Sequence, residues 1–249
     1  MVIAVIFPVV APSFCVRGSG RALAKIETRE VFLRSVELYA KRDQVAQRIV
    51  VAAPDDLQTM QEKYAAHLGF QGVTVAGGTS EWFGCVGRGL EKLEAAVDTV
   101  IVHDPCCPAV AFTLSDALEE ALAKNAGAAG VVPVLPCRSG FAELEGGGGG
   151  GVGAINEYVE MAQVFEVQSP QIFRRQALVE AYGKRGGKVF VDDAELLVTC
   201  GHKIATIPGS RLNQRMDSEE LVRLGADLIE RLPKPKPKTP LTPFGEAEW

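Results

Sequence analysis

Asp98-Thr99-Val100-Ile101-Val102-His103-Asp104-Pro105-Cys106-Cys107-Pro108 decides the reading of this chain. Thr99 to Val102 are apolar and rich in β-branched residues, the pattern of a strand buried on both faces. The run stops at a carboxylate and a proline-flanked turn. In an open α/β sheet, ligands bind outside the carboxyl ends of the strands. Asp104 is therefore placed to hold a metal or a sugar hydroxyl. Two cysteines follow it, where a phosphate-handling site would want positive charge.

Outward from this strand, apolar segments of strand and helix type alternate. Val2 to Val10 reads as the first strand and Ala11 to Gly20 as a loop. Val31 to Ala40 has helical spacing, Gln47 to Ala53 reads as a strand, and Pro54 to Leu68 as a helix with Asp55 or Asp56 as its cap. Gly72 to Ala76, Cys85 to Ala96, Leu114 to Ala126 and Ala129 to Leu135 continue as strand, helix, helix and strand. Such βα alternation predicts a mostly parallel sheet with helices on both faces.

The alternation then breaks at six consecutive glycines, Gly146 to Gly151. Phe141 to Leu144 and Tyr158 to Phe165 flank them as two strands of a protruding arm, within about residues 137–168. Ser169-Pro170-Gln171 is read as opening a helix that reaches Tyr182. A strand at Val189 to Val191, a helix from Asp193 to Cys200, a strand from Lys203 to Ile207 and a helix from Ser218 to Arg231 complete one domain over residues 1–231. Residues 232–249 carry Pro-Lys repeats and read as a disordered, polyproline-like tail.

Composition bounds the function. A chain of 249 residues with 47% hydrophobic residues can bury a full α/β core. A net charge of −5 argues against general nucleic-acid binding. No apolar stretch approaches the ~18 residues of a membrane span. The first ten residues lack the basic start and cleavage site of a secretory signal. With six cysteines and no zinc-type spacing, reduced thiols and a cytoplasmic location are expected.

The order of segments resembles the 2-C-methyl-D-erythritol 4-phosphate cytidylyltransferase family, from Val2 to about Leu228. The carriers are Gly77-Gly78 before Cys85-Val86-Gly87-Arg88-Gly89-Leu90, then Val102-His103-Asp104, then Ser169-Pro170-Gln171-Ile172-Phe173. Asp192-Asp193-Ala194 with Cys200-Gly201, and Gly209-Ser210 with Asn213, complete the set. The resemblance implies a Rossmann-like nucleotidyltransferase fold whose β-arm makes a homodimer. It implies CTP and a small sugar or polyol phosphate as substrates, with Mg²⁺ as cofactor. By the same resemblance, Arg215, Arg21 and Lys25 are the candidate catalytic cations. Val10, Ala11, Gly77, Gly78, Cys85, Asp104 and Asp192 are the candidate nucleotide-binding positions, with Asp104 also the metal position.

The same alignment shows departures. The family's Ala-Ala-Gly-x-Gly-x-Arg loop is matched by Val9-Val10-Ala11-Pro12-Ser13-Phe14-Cys15, with both glycines absent and no N–H on Pro12. Arg17-Gly18-Ser19-Gly20-Arg21 reads either as a displaced phosphate loop or as a turn. Trp82 stands at a family arginine, Cys107 at the arginine after the carboxylate, and Met161 at the arm's arginine. Trp82 reads as a base-stacking platform or as core, and Cys107 as a nucleophile or as buried filler. Val191 replaces a threonine, and Arg215 replaces the second lysine with a planar fork. Two functions follow as alternatives: an active nucleotidyltransferase with altered chemistry, or a catalytically silent homologue that binds nucleotide or serves as a scaffold.

Overall fold

The computed structural model describes residues 1–10, 21–40, 42–145 and 153–233. The loop Ala11 to Gly20, the glycine run and the tail from residue 234 lie outside them.

The main sheet is built around β1 (Ile3–Val9), every residue of which is buried. It pairs in parallel with β4 (Val45–Ala52) on one side and β6 (Thr99–Val102) on the other. β4 continues in parallel to the edge strand β5 (Val73–Gly77). Beyond β6 comes β11 (Gln171–Arg174), antiparallel to both β6 and β7 (Gly130–Pro136). β7 also pairs in parallel with β12 (Ile204–Pro208) and antiparallel with β10 (Phe165–Val167). The sheet is thus mixed and mostly parallel, in the order β10-β7-β11-β6-β1-β4-β5 with β12 against β7.

Alternation along β1 divides the core between two faces. Ala4 and Ile6 face α4 (Trp82–Glu91), α6 (Arg175–Lys184) and α7 (Asp193–Thr199). Ile3, Val5 and Phe7 face α1 (Val31–Glu37), α2 and α3 (Pro54–Thr59 and Ala65–Phe70) and α5 (Phe112–Lys124). A Cβ on Gly89 would stand 2.7 Å from Ile6 Cγ2, so glycine there lets α4 lie close on the central strand. α8 (Glu219–Glu230), capped by Ser218, packs Val222 against Ile26 and Met216.

Several sequence expectations are corrected. Gln171 to Arg174 is a strand, and the helix begins only at Arg175. Ile172 and Phe173 are both fully buried between β6 and β7, and extended backbone is what that slot accepts. The second arm strand is β9 (Ala154–Tyr158), paired with β8 (Ala142–Glu145); Phe165 belongs to the main sheet. Val189 to Val191 form no strand. Neither Asp55 nor Asp56 caps its helix: Ala53 holds the cap position without a side-chain bond, and both aspartates sit in the first turn. That helix also widens into a π turn at Met60–Tyr64 before α3. A short hairpin, β2 (Lys25–Ile26) with β3 (Arg29–Glu30), has no counterpart among the sequence expectations. Among the described residues, no helix is long and apolar enough to cross a membrane.

Candidate active site

β6 ends at Val102, and His103, the next residue, is fully buried. Its Nε2 faces the Cys107 carbonyl at 3.0 Å, and a carbonyl only accepts, so Nε2 carries the proton. Nδ1 then accepts from the Tyr39 hydroxyl at 2.9 Å. Burial lowers the imidazole from the usual 6.5 to about 4, so it is neutral and structural. It ties the Pro105–Pro108 turn to the strand end. Cys107 fills this turn as a buried side chain, and burial pushes its thiol well above the ordinary range. The nucleophile reading of Cys107 lacks the depressed pKa that it needs.

Asp104, 5% exposed, has both oxygens engaged. Oδ1 accepts the Cys106 N–H at 2.9 Å. Oδ2 accepts Arg215 Nε at 2.7 Å, an ion pair between residues 111 apart in sequence. Two predicted site residues are thus brought into direct contact. The segment that delivers Arg215 is stitched down by Gln168, which no motif marks, together with Ser169, Gly209, Ser210 and Asn213, which belong to the quoted segments. Gln168 Nε2 donates to the carbonyls of Ser210 and Asn213, and its Oε1 accepts the Ser210 N–H at 3.0 Å. A Cβ on Gly209 would collide with that Oε1, so only glycine allows the approach. Asn213 donates to the Ser169 carbonyl, Ser169 Oγ accepts the Asp104 N–H at 2.8 Å, and Met216 N donates to Cys106 O at 2.7 Å.

Asp104 and Arg215 open on a cleft of about 890 Å³. Its floor is apolar, with Val102, Val132, Val134 and Ile204. Asp192 lines the α7 side: its Oδ2 accepts Gln171 Nε2 at 2.8 Å and its Oδ1 accepts the Glu195 N–H at 2.9 Å. The charged side chains lining the cleft are Asp104, Glu166, Asp192, Asp193, Glu195, Asp217 and, among the described residues, one cation, Arg215.

The other predicted site residues sit elsewhere. Val10, 8% exposed, packs in the core that contains α4, and Ala11 lies outside the described residues. Gly77 ends β5, one strand beyond β4, and Gly78 follows it. Gly78 donates to the Ala52 carbonyl at 2.8 Å, and Cys85 is fully buried with its thiol donating to Thr79 O at 3.1 Å. Lys25 lies in the hairpin with Nζ 3.9 Å from Glu30 Oε1, and Arg21 faces Glu220 of α8. Neither is among the described residues that line the cleft. Trp82 does line it, but it is 6% exposed and its indole N–H is spent on Asp193 at 2.9 Å.

The donor set does not fit a resident metal. Asp104 is a single carboxylate with both oxygens already accepting, and among the described residues no three His, Cys, Asp or Glu side chains gather to hold an ion.

Residues 9–227 match the sequence pattern of the family IspD, 2-C-methyl-D-erythritol 4-phosphate cytidylyltransferase. The chain is 32% identical over 194 residues to the 2-C-methyl-D-erythritol 4-phosphate cytidylyltransferase of Frankia casuarinae, covering 78% of this chain and 68% of that protein. It is 27% identical to the bifunctional enzyme IspD/IspF of Solidesulfovibrio magneticus, covering 92% of this chain but only 55% of that relative's length. In structure it is similar to the Thermus thermophilus 2-C-methyl-D-erythritol 4-phosphate cytidylyltransferase, with a TM-score of 0.72, 23% identity and coverage of 90% of this chain and 98% of that one. A family match across most of the chain, on the same α/β frame, settles the grouping: this protein belongs to the 2-C-methyl-D-erythritol 4-phosphate cytidylyltransferase family.

Proposed function

We propose that this chain binds CTP in the cleft beside Asp104 and transfers its cytidylyl group to a small polyol phosphate. An oxygen of the acceptor phosphate bonds to the α-phosphorus, the bond to the bridging oxygen of the β-phosphate breaks, and pyrophosphate leaves. Such chemistry is mostly positioning and charge neutralisation. The observation that carries the reading is the Asp104–Arg215 pair, a cation delivered by a stitched-down loop to the carboxyl end of β6. Arg215 is the side chain that meets the phosphates, and Asp104 holds it in place until they arrive. Mg²⁺ is proposed only as the ion carried in with the triphosphate.

A second reading, a homologue that binds nucleotide without turning it over, is favoured by the charge balance. One guanidinium faces six carboxylates in the described lining of the cleft. Each missing charge-stabilising donor typically adds about 2.7–4 kcal/mol to such a barrier. Calorimetric titration of CTP with and without Mg²⁺, paired with a pyrophosphate-release assay on 2-C-methyl-D-erythritol 4-phosphate, separates the two. The expected result is binding plus release, both abolished by Asp104→Ala. Binding without release would establish the silent reading, and no heat with any nucleotide would sink both.

We also propose a homodimer formed through the arm. Phe141, Leu144, Ile155 and Tyr158 on and beside β8 and β9 are each at least 50% exposed, an apolar surface that a second copy would cover. Light scattering should give a dimer, and removal of residues 141–165 should give a monomer. A variant that stays dimeric would refute the assignment.

A further inference from the structure

Three helices meet at one buried carboxylate that the proposed reaction does not use. Asp193, 1% exposed, is the first residue of α7. Its Oδ2 accepts the indole N–H of Trp82 on α4 at 2.9 Å, and its Oδ1 accepts the hydroxyl of Tyr182 on α6 at 2.5 Å. The preceding Asp192 points the other way, onto Gln171 of β11. Adjacent carboxylates therefore pin the start of α7 both to the floor of the cleft and to the two helices behind it. Trp82, Asp192 and Asp193 all line the cleft.

We propose that Asp193 is a positioning residue: its carboxylate fixes the indole of Trp82 and the start of α7 as one wall of the cleft, and proton binding at that carboxylate alters the wall. The inference concerns the same cleft as the proposed function but stands on the apoprotein. The groups that face Asp193 set the balance. Burial and the neighbouring Asp192 oppose the ionised form, while Tyr182 and Trp82 donate to it. Arg185, after α6, and the Cys85 thiol of α4 act on Tyr182. Burial is the largest of these influences and raises Asp193 from 3.8 to about 6.

The test uses the full chain with Trp249→Phe, which leaves Trp82 as the only tryptophan of the two. Indole emission responds to a charge at its nitrogen. Trp82 emission is expected to titrate with a midpoint near pH 6 and to lose that transition in Asp193→Asn. Tyr182→Phe, which deletes a donor to the ionised form, should move the midpoint upward. A flat profile, or one unchanged in Asp193→Asn, would overturn the proposal. CTP titration of the same samples keeps the two readings apart. A titrating Trp82 in a protein that binds no nucleotide upholds Asp193 and sinks the proposed function. A flat Trp82 in a protein that binds CTP does the reverse.

Discussion

Arg215→Met is expected to lower the stability of the fold by about 3 kcal/mol, and Asp104→Asn by clearly less. The asymmetry follows from burial. The Asp104 side chain is 7% exposed and that of Arg215 is 18%. Methionine roughly matches arginine in volume but leaves a carboxylate in the interior with the Cys106 N–H as its donor among the described residues. Breaking a buried pair by removing one member costs about 3–5 kcal/mol, because the orphaned charge stays behind. The partial exposure of Arg215 places the effect at the low end. In Asp104→Asn the guanidinium keeps access to solvent and to Asp217, 3.9 Å from its Nη1. For a domain of this size ~3 kcal/mol is a fall of roughly 6–12 °C in melting temperature. The double variant should recover part of the loss, since no charge is then left behind in the interior. Denaturant unfolding of the four proteins gives the cycle. Equal single-variant losses would refute the burial asymmetry, and strict additivity of the two would show that the pair is not coupled.

The same pair marks how far the site can be read without a structure. Asp104 is visible from local pattern alone, as a carboxylate ending a β-branched run before Pro105. Arg215 enters through resemblance, and nothing local shows that it reaches Asp104 across 111 residues. Gln168 escapes sequence reading because its role is to bind backbone of a distant loop, which leaves no periodic signal. The βα alternation reads the parallel half of the sheet correctly. It fails at Gln171–Arg174, where Ser-Pro-Gln looks like a helix start and only the gap between β6 and β7 makes a strand. Asp193 can be read as part of a helix opening. Its turn inward to Trp82 and Tyr182 depends on helices 111 and 11 residues away.

His103 and Asp193 are expected to pull the stability of this protein in opposite directions with pH, by roughly 3 kcal/mol each over their full ranges. Burial holds His103 near 4 when folded, against 6.5 ordinarily. The unfolded chain therefore binds this proton first, so His103 contributes stability above about pH 6.5 that is lost as pH falls toward 4. Asp193 is raised to about 6 from 3.8. Here the folded state binds the proton first, so its contribution is complete below about pH 3.8 and is lost as pH rises through 6. Between about pH 4 and pH 6 the two slopes oppose, and the wild-type profile hides both. Single variants unmask them. Relative to wild type, His103→Gln should gain stability on acidification, because the acid-sensitive imidazole is gone while an amide can still serve Tyr39 and the Cys107 carbonyl. Asp193→Asn should do the opposite and lose stability on acidification, since the compensating carboxylate is absent. The measurement is urea unfolding at intervals from about pH 4 to about pH 8, read as the difference from wild type rather than as absolute stability. Difference curves of opposite slope are the expected outcome. Two flat curves would mean that neither group changes its proton affinity on folding, and the burial argument for both would fail.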